Sequence, residues 1–190
     1  MQALFEIGAT RSLSYTYSML QLSGALLNRP VLSLRTGTRI ATTQQAIINP
    51  NNLKVEGFYC QDSKERKKQL VLLYQDIRDL IPQGMVVNDH DSLVEPSELV
   101  RLQDILALNF TLTGKQVVTI SGSKLGKVAD YATETTTMFV QKIYVTQSLL
   151  KNLTGGNLGV DRTQIVEITN RKIIIQDLAG TIPARAGAMA

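Results

Sequence analysis

The sequence predicts a mainly β fold: two small β-barrels from an internal duplication, joined by a short α-helix. Three observations predict it. Short β-branched and leucine runs such as "VLSL" (31–34) and "VVTI" (117–120) are bounded by turn residues. The first half of the chain repeats in the second with its apolar positions in register. Between the halves lies the one segment with clear helical spacing.

The N-terminal extension, residues 1–21, contains "LSYTYSM" (13–19), where Leu13, Tyr15, Tyr17 and Met19 alternate strictly with Ser14, Thr16 and Ser18. Period-two alternation is the pattern of a half-buried strand, here an addition to the first barrel. Its first twenty residues hold Glu6 and no long apolar core, so they do not read as a signal peptide.

The two copies span 22–94 and 110–178. "LLNRPVLSLRTGTRIATT" (26–43) aligns with "LTGKQVVTISGSKLGKV" (112–128). Leu26 meets Leu112, Arg29 meets Lys115, Val31 meets Val117, Ser33 meets Thr119 and Leu34 meets Ile120. After a one-residue gap Gly37 meets Gly122, Thr38 meets Ser123, Arg39 meets Lys124 and Ile40 meets Leu125. "VEGFYC" (55–60) lies over "VQKIYV" (140–145), pairing Val55 with Val140, Phe58 with Ile143 and Tyr59 with Tyr144. "QDIRDLIPQGMVVND" (75–89) then matches "TQIVEITNRKIIIQD" (163–177), with Ile77 on Ile165, Asp79 on Glu167, Val86 on Ile174 and Asp89 on Asp177. Internal self-similarity of this kind is the signature of a repeated unit.

Gly122, Lys124, Gly126 and Lys127 resemble a phosphate-binding loop at first sight. A phosphate loop needs Gly, four residues, then Gly-Lys-Ser/Thr opening a helix. Here Val128 follows Gly126-Lys127, and Ser121 stands five residues before Gly126. "SGSK" and "RTGT" instead place Gly where a tight hairpin needs positive φ. "PQG" (82–84) and "TNRK" (169–172) read as a second hairpin turn in each copy. Five or six short strands in each copy suggest a closed or nearly closed barrel, since closure removes exposed strand edges.

The linker "EPSELVRLQDILALN" (95–109) carries Pro96 and Glu98 early and Leu99, Leu102, Ile105 and Leu106 at three- and four-residue spacing. That reads as a helix with one apolar stripe packed on the barrels. The tail, 179–190, is rich in small residues and reads as loose.

Composition narrows the function. The 190 residues are 44% hydrophobic and 19% charged, the balance of an ordinary globular protein. Aromatic content is 5% with no Trp, which supplies few stacking platforms for nucleic acid. A net charge of +4 permits contact with anionic partners without requiring it. One Cys and one His exclude an internal disulfide and leave any zinc site leaning on carboxylates. No stretch reaches the roughly 18 uninterrupted apolar residues of a spanning helix, so the expected location is the cytoplasm.

"GKQVVTISGSKLGKVADYA", "FVQKIYV" and "DRTQIVEITNRKIIIQD" resemble the PRC-barrel family, the small β-barrel shared by the photosynthetic reaction-centre H subunit and a ribosome-maturation factor. "LNRPVLSLRTGTRIATTQQAIINP" and "QDIRDLIPQGMVVND" are a more divergent match, departing at Ala41-Thr42-Thr43, where the family carries Gly and then Val. The resemblance implies a non-enzymatic module that docks on other macromolecules, with no cofactor and no particular partner.

Four residues are candidates for contact: Lys64, Arg66, Lys67 and Lys68 in "DSKERKKQ" (62–69), where the copies differ in loop length. Such a loop can meet RNA phosphates, or it can simply solvate a hairpin tip. His90, with Asp89 and Asp91, offers a metal or base site, against which stands the turn-forming character of Asn and Asp. Cys60 aligns with Val145 and reads as a buried small hydrophobe. No nucleophile elbow or other catalytic signature is present, and no catalytic, metal or cofactor residue is assigned. The expected function is a protein-interaction or assembly module, with homo-oligomer formation allowed. The alternative is an RNA- or ribosome-associated factor.

Overall fold

A computed structural model describes residues 20–147 and 157–177. The alternating segment 13–19, the loop 148–156 and the tail from 178 onward lie outside them. The described chain is mainly β.

The elements run β1 (Leu20–Leu22), α1 (Ser23–Leu26), β2 (Pro30–Ser33), β3 (Arg39–Asn49), β4 (Lys54–Asp62), β5 (Gln69–Leu73), β6 (Asp79–Ile81), β7 (Gly84–Val87) and β8 (Leu93–Val94). They continue as α2 (Gln103–Ala107), β9 (Gln116–Thr119), β10 (Lys124–Glu134), β11 (Val140–Gln147), β12 (Asn157–Asp161), β13 (Ile165–Ile168) and β14 (Lys172–Ile175).

Two sheets result. The first runs β6-β7-β2-β3-β4-β5-β8, and the second runs β13-β14-β9-β10-β11-β12, with β1 added on β10. Within the shared order every pairing is antiparallel except one in each sheet, β2 with β7 and β9 with β14. The closed barrels expected from strand spacing are not formed by these pairings, because each sheet is a path with two ends. Edge exposure is limited another way in the first sheet, whose terminal strands β6 and β8 are three and two residues long.

Positions aligned in the sequence occupy matching places. Val31 and Val117, both fully buried, lie opposite Ala41 and Gly126 on one side and Met85 and Ile173 on the other. Bulges interrupt β3–β4 between Thr43 and Gln45 and between Ile47 and Ile48, and interrupt β10–β11 between Val128 and Asp130 and between Ala132 and Thr133. Such bulges bend an eleven-residue strand around a core. Asn28 and Gly114 both have positive φ. The chain then locks by paired bonds: Asn28 N–H to Thr43 C=O and Thr43 N–H to Arg29 C=O in one sheet, Gly114 N–H to Val128 C=O and Val128 N–H to Lys115 C=O in the other.

The predicted hairpin at 121–124 is present: Gly122 takes φ 84 and donates to Thr119 C=O at 2.9 Å, as Gly37 with φ 66 donates to Ser33 C=O at 2.9 Å. Gly126 is not part of that turn. It sits inside β10 at φ 153, where an added Cβ would lie 1.9 Å from the Thr146 carbonyl oxygen.

The two sheets join reciprocally. Leu53 (φ 59) and Met138 (φ 58) each donate backward, to Asn49 and Glu134 C=O at 2.8 Å. Beyond them Lys54 and Phe139 form an antiparallel bridge, with Val55 N–H on Met138 C=O at 2.7 Å and Val140 N–H on Leu53 C=O at 2.9 Å. Side chains stack there: Lys54 Nζ lies 4.1 Å from the Tyr74 ring centre and 5.9 Å from that of Phe139, and the Arg162 guanidinium lies 4.3 Å from Phe139. Cations over ring faces contribute roughly 0.5–1 kcal/mol each at partly exposed sites.

The segments preceding each sheet cross over: β1 and α1 pack on β10, while α2 packs on β3. Phe58, Leu72, Met85, Ile143 and Ile173, drawn from both sheets, and Leu112 just before β9 are almost entirely buried in one continuous apolar cluster.

The linker helix is shorter than expected. Pro96–Glu98 and Val100–Leu102 are 3-10 turns, interrupted at Leu99 (φ −86, ψ 63), and α-helix begins only at Gln103. Leu99, Leu102, Ile105 and Leu106 nevertheless share the half-buried side. The preceding segment, predicted as loop, contains β8, which pairs Val94 with Val71 and Leu93 with Leu72.

Candidate interaction surfaces

The basic stretch is the connection between β4 and β5, and its backbone is organised from below by Asp62. Alternation along β4 turns Phe58, Cys60 and Asp62 inward, and the Asp62 side chain is 4% exposed. Its Oδ1 accepts the N–H groups of Lys64 at 2.6 Å and Glu65 at 3.0 Å, while Oδ2 meets His90 Nε2 at 2.6 Å. Burial would raise the Asp62 carboxyl pKa. The Glu65 and Lys64 amides and His90 outweigh it and hold the group below its ordinary range.

Of the four candidates, Lys68 is engaged by Glu95 at 2.8 Å, which raises its pKa. Lys64, Arg66 and Lys67 are exposed and make no ion pair among the described residues. The structure therefore brings the candidates onto one loop and separates Lys68 from the rest by its ion pair. Sequence reasoning missed Asp62, although the parity of "FYCQD" places it inward with Phe58 and Cys60.

His90, Asp89 and Asp91 do not converge. His90 turns to Asp62, and Asp89 accepts from Ser33 Oγ at 3.3 Å and pairs with Arg35. Asp177 holds the matching turn of the second sheet, accepting Ser121 Oγ at 2.7 Å and Ser121 N–H at 3.1 Å. The His90 backbone amide depresses the Asp89 pKa most, and Ser121 does so for Asp177. Among the described residues no group of three or more His, Cys, Asp or Glu side chains is placed to hold a metal ion. Burial pushes the Cys60 thiol up to about 12, far from a thiolate at neutral pH.

The latched turns expose aliphatic side chains at matched positions: Leu34 is 62% exposed and Ile120 is 61% exposed. A groove of about 780 Å³ lies between Ile77–Pro82 and the Thr135–Met138 turn, with Arg29 and Arg78 on its wall. A smaller hollow of about 170 Å³ lies between Ile165–Ile168 and Pro50–Leu53, the corresponding place across the junction. Arg29 donates to Pro82 C=O, and Lys115 donates to Asn170 C=O at 2.7 Å, so both of these cations clamp a hairpin turn.

Among the described residues no helix is long and apolar enough to cross a membrane. The sequence matches no protein-family model and no curated protein.

Proposed function

We propose that this chain is a non-enzymatic, cytoplasmic scaffold of PRC-barrel type, made of two copies of one β unit (residues 22–94 and 110–178) and acting on protein partners. The observation that carries this reading is the pair Leu34 and Ile120. A water-exposed aliphatic side chain recurs at the same place on two turns, each held rigid by a carboxylate. A rigid, amphipathic tip suits protein contact, because little conformational freedom is lost on docking. The polar groups that chemistry would need are meanwhile engaged in structural roles: His90 on Asp62, Asp89 on its turn, Cys60 in the core.

The test is affinity purification from the native cell with the unaltered chain and with Leu34→Ser/Ile120→Ser, after circular dichroism shows both folded. The expected result is a defined protein that survives moderate salt with the unaltered chain and is lost with the double variant. Retention by both chains, or recovery of nucleic acid alone, would contradict it.

A second reading, RNA or ribosome association, is favoured by one observation: three exposed cations, with no ion pair among the described residues, on a backbone held by Asp62. Glu65 and Glu95 close by dilute the charge, which ranks this reading second. Changing Lys64, Arg66, Lys67 and Lys68 to Ser should abolish salt-sensitive co-sedimentation with ribosomal particles if it holds. Unchanged co-sedimentation would remove the loop from consideration.

A further inference from the structure

We propose that the groove between the β6–β7 hairpin and the Thr135–Met138 turn binds a small amphipathic anion, an apolar body with one phosphate or carboxylate head. Its volume of about 780 Å³ lies within the roughly 300–1,000 Å³ of small-molecule sites. The buried part of its lining is apolar. Leu26, Met85 and Met138 are at most 3% exposed, and Ile77 and Leu80 pack against the same core. Methionine side chains adapt their shape to an apolar body laid against them.

The charged side chains that line the groove are Arg29, Arg78 and Asp79, a surplus of one positive charge. Among the described residues neither arginine makes an ion pair. Arg29 donates one guanidinium N–H to Pro82 C=O, and Arg78 donates Nε–H to Asn88 Oδ1 at 2.9 Å. A guanidinium carries five N–H donors in a planar fork, so donors remain for an anionic head. Tyr74 lines the groove as well. Its hydroxyl oxygen accepts from Lys54 Nζ at 2.7 Å, which leaves the phenolic O–H to donate and adds the positive potential of the ammonium.

The second sheet shows which of these features the fold itself requires. Lys115, the counterpart of Arg29, also clamps a hairpin turn, so that cation has a structural use in both sheets. Arg78 falls on Val166 in the ungapped match of 75–89 with 163–177, and Val166 is 55% exposed. The fold therefore does not need a cation there. The corresponding hollow holds only about 170 Å³, and its charged lining is Arg162 against Glu167. Of the two places, space and surplus positive charge coincide at the first. This inference does not depend on the scaffold reading, and either can fail alone.

An NMR titration of the full chain tests it. Decyl phosphate and decanoate are the anionic probes, decyltrimethylammonium puts the same tail on a cation, and inorganic phosphate is a head without a tail, all below micelle formation. At least one decyl anion should saturate, with amide shifts centred on 77–85 and 135–138, and bind about tenfold or more tightly than the decyl cation or phosphate. The tighter of the two anions names the head group. Arg78→Val, which installs the second sheet's residue, should weaken that anion by about tenfold. Ala25→Trp, at an exposed position lining the groove, should abolish saturation. Equal affinity for the cationic tail, anion shifts centred elsewhere, unchanged affinity in Arg78→Val, or no saturation by either anion overturns the proposal. If the variants fail to fold, the contrast between anionic and cationic tails on the unaltered chain decides the matter.

Discussion

The first and second sheets share strand order, bulge positions and the sign of φ at their tight points, yet they fill these positions with different chemistry. Where the first sheet has Thr43, its hydroxyl donates to Leu26 C=O at 2.9 Å and accepts the Arg29 N–H at 2.9 Å. The second sheet has Val128 there and relies on backbone bonds alone. Where the first has Ala41, fully buried, the second has Gly126, pressed against the Thr146 carbonyl. At the junction Lys54 stacks on Tyr74 while its counterpart Phe139 receives Arg162, so cation and ring have changed places. The lesson is that backbone geometry is held tightly while a side chain is free to vary wherever its role can be met by a different group.

Substitutions that exchange these solutions sharpen the comparison. The largest effect is expected for Gly126→Ala, which combines an unfavourable φ with a Cβ inside van der Waals contact of backbone. A loss of about 3 kcal/mol or more is expected in urea unfolding. Ala41→Gly, the reverse exchange in the first sheet, should cost only about 1 kcal/mol. Equal losses would show that the two positions are not distinguished by packing.

Asp62 comes next. Asp62→Asn removes charge from a buried acceptor of two amides and should cost about 2 kcal/mol at neutral pH. The sign with pH follows from the depressed pKa. The folded state binds its proton less readily than the unfolded chain, so the stabilisation is present above the ordinary value of 3.8 and is lost as pH falls through the folded value. Unfolding curves of the unaltered chain and Asp62→Asn should therefore converge below pH 4 or so. A gap that stays constant into acid would contradict the carboxylate's role.

A smaller effect than at Asp62 is expected for Thr43→Val, which gives the first sheet the second sheet's residue. It should cost about 1–2 kcal/mol, because the Leu26 carbonyl and the Arg29 amide lose their hydroxyl partner. A neutral substitution would mean that the backbone pair alone is sufficient, as it is at Val128.

Much of this arrangement is legible in the sequence. The mainly β character follows from β-branched runs, and the hairpin turns follow from Gly37 and Gly122, whose positive φ only a glycine adopts without cost. The placement of Lys64, Arg66 and Lys67 on a loop tip follows from the length difference between "DSKERKKQ" and the second half. The open ends of the sheets are not legible, because closure depends on which distant strands pair, and a three-residue strand such as β6 has no measurable period. β8 is hidden for the same reason, being two residues inside a stretch rich in turn formers. The linker misleads in the other direction. Its leucine stripe is the stripe of a helix, but Leu99 leaves the helical region and splits it into short turns. Asp62 is legible in hindsight of its strand: a charged residue at an inward position of an alternating segment signals a buried carboxylate with a task.

The two sheets are joined by reciprocal strand pairing at Leu53–Val55 and Met138–Val140. Lys54 and Phe139 form a non-hydrogen-bonded antiparallel pair, the arrangement in which facing Cα atoms come closest. A nuclear Overhauser measurement between their Hα protons in the full chain tests this directly. A strong cross-peak is the predicted result, and its absence in a folded, fully assigned sample would contradict the junction.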